Sequence, residues 1–438
     1  DMQEPMELLE LPGISLDYFL RGLAGEAYQD NTVFQELYSW YLQSPEYRIL
    51  VKKLTEASFS ERPSDKIGKT VAKILYGEIS PYSATRLERF AACAFAHFLQ
   101  YGLKVTERAE YEFRAMDMGN VMHMALEKFA AEVRKEGLDW AELTEEERNR
   151  IIDSCLDQVS ADYGNTILKS SARNEYMIER TRRILRRTVW ALQEQLKHGA
   201  FRPEGFEVRF QGGRIDRVDI MEEPENNRVY VKVIDYKTGN TSFDLLALYH
   251  GLQLQLMVYL DGALQVEKRK YPDREIVPAG VFYYNVKDPM IQEKIHADME
   301  SINEQMLKKM KMNGLVQADD NMSTKIDSTM ASIPVSLNRD GSFSKRSSVA
   351  SRKQFDALGA YVRRKICDIR ESILDGNAAV EPYELGKKNA CTYCPYLTVC
   401  GFDRKIPGYE FHRLSSIEED ALWKKIMKGE EENGSEMD

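Results

Sequence analysis

Little in this chain of 438 residues is built for life outside a cell or within a bilayer. It has only 6 cysteines, most of them far apart, which excludes a secreted disulfide framework and makes a reducing cytoplasm the expected compartment. It has no apolar run long enough to span a bilayer and no leader-like segment, so no membrane association is expected. It also lacks excess positive charge. A formal net charge of −10 excludes a protein coated in basic residues for nucleic acid, although not one with a local basic groove. No repeat recurs along the chain. No complete phosphate-binding loop occurs. Ile67-Gly68-Lys69-Thr70 ends like one, but Pro63 stands where the first glycine is needed and no apolar strand precedes it, so a helix start is expected there and ATP binding is not. The first residue is Asp1 rather than Met, as expected of a piece of a longer protein.

What remains is a composition that folds. With 43% hydrophobic and 30% charged residues, the chain has core for two or three soluble domains. Residues 1–80 read as helical, over Leu16–Leu23, Val33–Tyr41, Glu46–Ala57 and Lys69–Leu75. The apolar spacing Leu87, Phe90, Ala94, Phe98 predicts one helix over 82–104, with Ser83 as its cap and Glu88 as a late capping partner. A further helix starts near Gly119, with His123 on its first turn, and residues 140–200 are helical and highly charged. Arg180, Arg183 and Arg187 share a face there, either a solvated surface or a track for DNA phosphates. Strands are expected at 204–210, 214–220, 228–236 and 278–286, and helices at 243–264, 289–313 and 351–375. Residues 315–350 show little periodicity and read as an irregular, partly mobile insertion.

One stretch organises the rest. Residues 214–220 and 228–236 form two strands around Pro224-Glu225-Asn226-Asn227, a turn sequence. Side chains alternate along a strand, so Asp235 and Lys237 share a face, and a hairpin brings Asp216 alongside. Two carboxylates and an ammonium on one face are costly together unless a divalent cation sits between the carboxylates and the lysine meets a water or a phosphate. Asp-x-Lys alone is common by chance and also reads as an exposed surface pair. His123 upstream adds a possible ligand, since neutral imidazole binds metals well. Gln255 and Tyr259 lie one turn apart on the helix that follows, as site residues or as a pair satisfying each other.

Near the end comes Cys391-Thr392-Tyr393-Cys394, then Cys400, a C-x2-C-x5-C triplet that makes a compact soft-ligand site. A fourth ligand is needed. Cys93 is the best candidate, with Cys155, Cys367 and His412 as alternatives. Spacing alone leaves both zinc and an iron–sulfur cluster open, and a triplet plus one distant cysteine suits a 4Fe–4S cluster at least as well.

In order, Cys93, then Gly119, His123, Leu126 and Glu127, then Gly213 to Asp219, Asp235 to Gly239, Gln255 with Tyr259, and the final cysteine triplet resemble the RecB-type PD-(D/E)XK nuclease family with an iron–sulfur staple. The match looks closest to the nuclease domain of AddB-type subunits of bacterial ATP-dependent helicase–nucleases. The resemblance implies a restriction-endonuclease-like α/β fold, a central mixed sheet flanked by helices, with a helical N-terminal segment. It implies three regions: 1–80 as the end of a helicase-like portion, 81–405 as the nuclease domain, and 406–438 as an extension with an acidic tail. It implies Mg2+ held by His123, Asp216, Asp235 and the Tyr236 carbonyl, with Lys237 acting on the attacking water. Gln255 and Tyr259 would shape the site and contact DNA, and Cys93, Cys391, Cys394 and Cys400 would hold a structural 4Fe–4S cluster. The implied activity is exonucleolytic degradation of the 5′-ended DNA strand in double-strand break repair, beside an AddA-like helicase–nuclease subunit. A DNA-end or partner-binding module without turnover, and a stand-alone RecB-like or Cas4-like nuclease, are the competing readings. One departure is local: Ala94-Phe95 follows Cys93 where the family often has Pro-Phe.

Overall fold

The structure, a computed structural model, describes residues 12–23, 31–58, 66–77, 83–107, 115–163, 171–291, 298–406 and 408–434. The chain divides into two compact units, Asp1–Ser64 and Asp65–Asp438. The smaller holds helices α1 (Pro12–Leu23), α2 (Asn31–Gln43) and α3 (Arg48–Ser58). They pack around Phe19, Tyr41 and Val51. Phe19 stacks on Phe34 and Tyr38 with ring centroids 5.0 and 5.7 Å away, so aromatic area does most of the burying in a short segment.

In the larger unit, α4 (Lys69–Tyr76), α5 (Ala84–Ala92), α6 (Ala94–His97), α7 (Ala115–Lys135), α8 (Glu145–Asp162) and α9 (Ala172–Lys197) precede the main sheet. Strands β1 (Arg202–Phe210), β2 (Gly213–Glu223) and β3 (Arg228–Lys237) form an antiparallel meander. Helices α10 (Leu245–Tyr249) and α11 (Gln255–Lys270) then cross one face to β4 (Glu275–Asn285), which runs parallel to β3. Next come α12 (Met299–Lys309), β5 (Asn313–Gln317), α13 (Met322–Ile326), β6 (Val349–Ala350) and α14 (Arg352–Leu374). The six strands lie in sequence order, β1 to β6. The C-terminal region adds β7 (Tyr383–Leu385), β8 (Lys388–Asn389), α15 (Leu397–Cys400), β9 (His412–Arg413) and α16 (Glu419–Gly434), with the three short strands in a second sheet.

Strand β3 shows why the sheet sits where it does. Tyr230, Ile234 and Tyr236 enter the core beneath α7, α8 and α9, while Val229, Val231 and Val233 enter the core beneath α5, α11 and α14. A strand covered on both faces reads as a near-continuous apolar run. Each such side chain contributes about 1.5–3 kcal/mol on burial, and a slip of one residue would exchange the two faces, so the register is firmly held. Asp235 and Lys237 continue the valine face towards α11. The expected class, a mixed sheet flanked by helices with a helical segment before it, is the one observed.

Several local expectations are corrected. The single helix over 82–104 is broken. Ser83 does cap α5, accepting from the Arg86 N–H, but Cys93 is extended at φ −167°, and α6 and a π-turn at Phe98–Gly102 follow. The helix over 243–264 is broken at Gly251, whose φ is +81°, so Gln255 opens α11 instead of lying within a longer helix. His123 lies two turns into α7 and not on its first turn, because the helix begins at Ala115. The helix over 289–313 is shorter, with residues 292–297 outside the described residues, and β5 begins at Asn313. The irregular stretch 315–350 contains most of β5, all of α13 and β6, and a hub at Asp327. The Asp327 carboxylate accepts from the backbone N–H groups of Thr329 at 2.9 Å and Ser332 at 2.8 Å, which replaces regular pairing there.

Candidate active site

Arg217 of β2 faces Ile234 of β3, and the same antiparallel register sets Asp216 across from Asp235. The Tyr236 N–H donates to Asp216 Oδ2 at 2.7 Å, so the neighbouring strand's backbone fixes the carboxylate. Helix α7 supplies His123, whose Nδ1 lies 3.3 Å from the same oxygen. Gly119, one turn earlier, keeps this approach close: a Cβ there would lie 3.2 Å from Thr238 Oγ1, tight enough that the Thr238 side chain would have to shift by a few tenths of an ångström. The His123 ring sits edge-on to Tyr236, 6.1 Å between centroids. Tyr236 itself contributes backbone at the site; its side chain is buried in the core.

On the other side, Lys237 Nζ lies 2.6 Å from Asp235 Oδ2 and donates to Gln255 Oε1 at 2.7 Å. Gln255 Nε2 in turn donates to the Tyr259 hydroxyl at 2.8 Å. Gln255 and Tyr259 do bond each other, but as the end of a chain that holds the lysine. The Lys237 ammonium also lies 5.4 Å from the centre of the Tyr283 ring.

Two acidic residues join this site that the sequence reading did not place there. Glu207 of β1 lies between the registered pairs Phe206–Arg217 and Val208–Ile215, and so across from Asp216. Its φ of +49° is in the left-handed region, which costs a non-glycine residue about 1–2 kcal/mol and marks a position held for a purpose other than strand geometry. Among the described residues, the trio of potential ligands whose donor atoms all lie within 4.8 Å of one another is His123, Glu207 and Asp216. Arg214 pairs with Glu207 at the rim. The signal for Glu207 was present in the two-residue Gln211-Gly212 turn, which fixes β1 against β2. Glu88 is the second. From α5 it accepts the N–H groups of Leu254 at 2.7 Å and Gln255 at 2.9 Å, so it caps α11 and not its own helix.

The electrostatics are those of a cation site. Burial, and then the Asp216 charge, push the Asp235 carboxyl up to about 7 against the opposing pull of Lys237 and His123. Burial followed by Asp216 pushes Glu207 to about 7 as well. Burial also raises Glu88 to about 7, opposed by the two N–H groups it caps. For His123, burial works against protonation, but the Asp216 hydrogen bond and the nearby carboxylates prevail and raise its pKa. Crowded carboxyls that hold protons near neutral pH are relieved by a divalent cation, and oxygen plus imidazole ligands suit a hard or borderline metal.

Directly beneath lies a buried ion network. Arg217 holds Asp219 with contacts of 2.6 and 3.0 Å, Lys232 lies 2.9 Å from the same carboxylate, and the guanidinium sits 5.1 Å from the centre of the Trp140 ring. These charges pair with one another, with Arg217 Nη1 left without a hydrogen-bond partner among the described residues. Four arginines of α9 are also engaged: Arg183 and Arg187 pair with Asp288, and Arg182 and Arg186 with Asp153. Of the expected face, Arg183 and Arg187 are thus ion-paired, while Arg180 has no carboxylate within ion-pairing distance among the described residues.

At the other end of α5, Cys93, Cys391, Cys394 and Cys400 line one small cavity with Phe95, Ala96 and other apolar groups. Asn389 Oδ1 accepts the Cys391 and Thr392 N–H groups, each at 3.0 Å, and shapes the knuckle. The Phe402 N–H points at Cys400 Sγ from 3.5 Å, and N–H groups of Ala96 and Phe95 favour the Cys93 thiolate, although burial raises that thiol's pKa overall. The alternatives do not approach: Cys155 is packed in the core of α8, Cys367 is exposed on α14 and His412 is exposed on β9. Among the described residues no three cysteine sulfurs lie within 4.8 Å of one another. Four thiols facing one cavity are a donor set that either a zinc ion or an iron–sulfur cluster could take.

This hairpin of facing carboxylates with its Asp-x-Lys edge belongs to a known class: residues 81–401 match the model of the PD-(D/E)XK nuclease superfamily, and the chain belongs to that superfamily. It is similar to proteins named as the B subunit of an ATP-dependent helicase/deoxyribonuclease. The one from Lachnoclostridium phytofermentans is 39% identical over 438 residues, covering 95% of this chain and 38% of that protein. Those from Alkaliphilus metalliredigens and Thermoanaerobacter sp. strain X514 are 35% and 33% identical, covering 90% and 93% of this chain and 36% and 37% of theirs. The chain thus spans under two-fifths of the length of these curated relatives, and the resemblance read from its motifs extends across most of it. No described helix is long and apolar enough to cross a membrane.

Proposed function

We propose that the chain is a Mg2+-dependent DNA exonuclease domain of a helicase–nuclease that processes double-strand ends for recombinational repair in the cytoplasm. The observation that carries the reading is the trio His123, Glu207 and Asp216, whose donor atoms lie within 4.8 Å of one another, with Asp235 across from Asp216 and 2.6 Å from Lys237, in a chain of the PD-(D/E)XK superfamily. Residues 81–405 are then the nuclease domain, 1–80 the end of a helicase-like region, and 406–438 an extension. Similarity to relatives named as the B subunit of an ATP-dependent helicase/deoxyribonuclease supports a second, helicase-bearing subunit as partner; that this subunit is AddA-like and that the 5′-ended strand is attacked follow from the motif resemblance alone.

His123, Asp216, Asp235 and the Tyr236 carbonyl hold the cation, with Glu207 as a further ligand. The bound cation supplies a lowered water pKa and neutralises charge on the phosphate. Lys237, held by Asp235 and Gln255, directs its protons at the attacking water or at a non-bridging oxygen, where negative charge grows in the transition state. Gln255 and Tyr259 keep that ammonium from swinging away. Cys93, Cys391, Cys394 and Cys400 hold a 4Fe–4S cluster that staples α5 to the C-terminal region. This role is structural: its loop closure removes about 5 kcal/mol of unfolded-chain entropy in the simple chain model.

The test is cleavage of single-stranded DNA labelled at the 5′ or the 3′ end, in Mg2+ and in chelator. Mg2+-dependent release of short products from the 5′ label supports the assignment. Full binding with no cutting, alone and with the helicase partner present, would leave a DNA-end-binding module instead.

A further inference from the structure

The parallel strands β3 and β4 end together. Lys237 is in register with Asn285, and the Val286 N–H donates to Lys237 O at 2.7 Å. Asn285 then ties the chain beyond β3 into place: its Oδ1 accepts the Thr241 N–H and its Nδ2 donates to Thr241 O, both at 3.0 Å. From this point an open groove of about 540 Å³ leads away from the site. Lys287, Lys308, Lys309, Lys311 and Arg346 line it, with the amide and hydroxyl groups of Asn240, Thr241 and Ser242 at the end nearest Lys237. No described carboxylate lines it. Lys308 also reaches Glu304, 2.6 Å away, and Lys309 donates to the Met290 carbonyl, while among the described residues Lys287, Lys309 and Arg346 have no carboxylate within ion-pairing distance.

This concentration is unexpected in a chain of net charge −10. On α9, by contrast, Arg182, Arg183, Arg186 and Arg187 each pair with an aspartate. The lining also lacks aromatic rings, so no base can stack there, and its apolar members are Met312, Pro334 and Val335. Cations spaced along a trough, with neutral donors between them, suit a chain of phosphates and not an isolated base or an acidic protein surface. Base-specific recognition needs edges and rings that this groove does not offer.

We infer that this groove is the phosphate track that guides single-stranded DNA to Lys237, gripping the backbone without regard to sequence. The inference rests on the proposed nuclease function for what the track serves, but its own signature is binding. Each phosphate neutralised on a single strand contributes a slope of about −0.7 to log K against log salt. The triple variant Lys308→Gln, Lys309→Gln, Arg346→Gln therefore reduces the slope by about 2 and weakens binding about 10–100-fold near 0.1 M salt.

The experiment measures the affinity of the full chain for fluorescent oligo-dT and oligo-dA across a salt series in chelator, where no cleavage occurs. The melting temperature of each variant is read in parallel, and all three positions are exposed. A reduced slope, with similar affinities for the two oligonucleotides, supports the track. An unchanged slope overturns it, and a strong preference for one base overturns the sequence-blind grip. Because binding is read without metal, loss of the track and loss of the nuclease reading are separable: the latter shows as absence of Mg2+-dependent cutting by the parent, whatever the slope.

Discussion

Replacing Asp235 by Asn should stabilise the metal-free protein at neutral and alkaline pH. Asp235 is almost fully buried, and burial with the facing Asp216 carries its pKa from 3.8 to about 7. The folded protein therefore keeps this proton up to about pH 7, while the unfolded chain loses it near 3.8. Between those values folding requires proton uptake, so the stability present below the unfolded pKa is lost progressively as pH rises, and above pH 7 the penalty is constant. A difference of this size corresponds to an upper bound of about 4 kcal/mol. Asn removes the penalty, and the pull of Lys237, 2.6 Å away, is already contained in the shifted pKa, so it is not subtracted a second time. The net gain at pH 8 is then at most about 4 kcal/mol, and at pH 4 the variant gains nothing. Chemical denaturation of both proteins in chelator at pH 4 and pH 8 measures it. The parent's fall in stability across that range should flatten in the variant without vanishing, since Glu207 and Glu88 are also raised to about 7. Added Mg2+ should restore the parent at pH 8, by about 1.4 kcal/mol at ten times its Kd, and leave the variant nearly unmoved. An Asn variant less stable than the parent at pH 8 in chelator would refute the reasoning.

Cys93→Ser should abolish the visible absorption and the iron and sulfide content of anaerobically purified protein and lower its melting temperature, whereas Cys367→Ser should change neither; zinc in place of iron would correct the cluster assignment. Glu88→Ala leaves two N–H groups of α11 without their acceptor, a cost of about 1–3 kcal/mol, and loosens Gln255 beneath Lys237. It should lower kcat with little change in DNA affinity, and Glu88→Gln, which keeps the acceptor oxygen, should restore most of that loss.

The parts of the site that were legible in the sequence are those that local chemistry determines. Asp216, Asp235 and Lys237 lie on one hairpin whose turn and alternation are written in adjacent residues, and the cysteine triplet declares itself by spacing. Cys93 was found because a tetrahedral or cubane site needs a fourth ligand, and the break that presents its sulfur was not visible in an unbroken apolar period. Glu88 looked like a cap because it is one, but its helix begins 167 residues later, at Gln255, and no local pattern carries that distance. Glu207 was missed because its position depends on β1 pairing across a two-residue turn and on a left-handed φ that strand periodicity does not signal. The stretch 315–350 hid two strands because side-chain hydrogen bonds at Asp327, and not apolar alternation, organise it.

The most direct measurement is the single-turnover rate of single-stranded DNA cleavage in Mg2+ for Lys237→Ala against the parent, with DNA affinity measured alongside. The ammonium stabilises charge that develops only in the transition state, so the expected result is a fall of about 10²–10³-fold in rate at unchanged affinity. A rate within a few-fold of the parent's would contradict the assignment of the Asp216–Asp235–Lys237 hairpin as the catalytic centre.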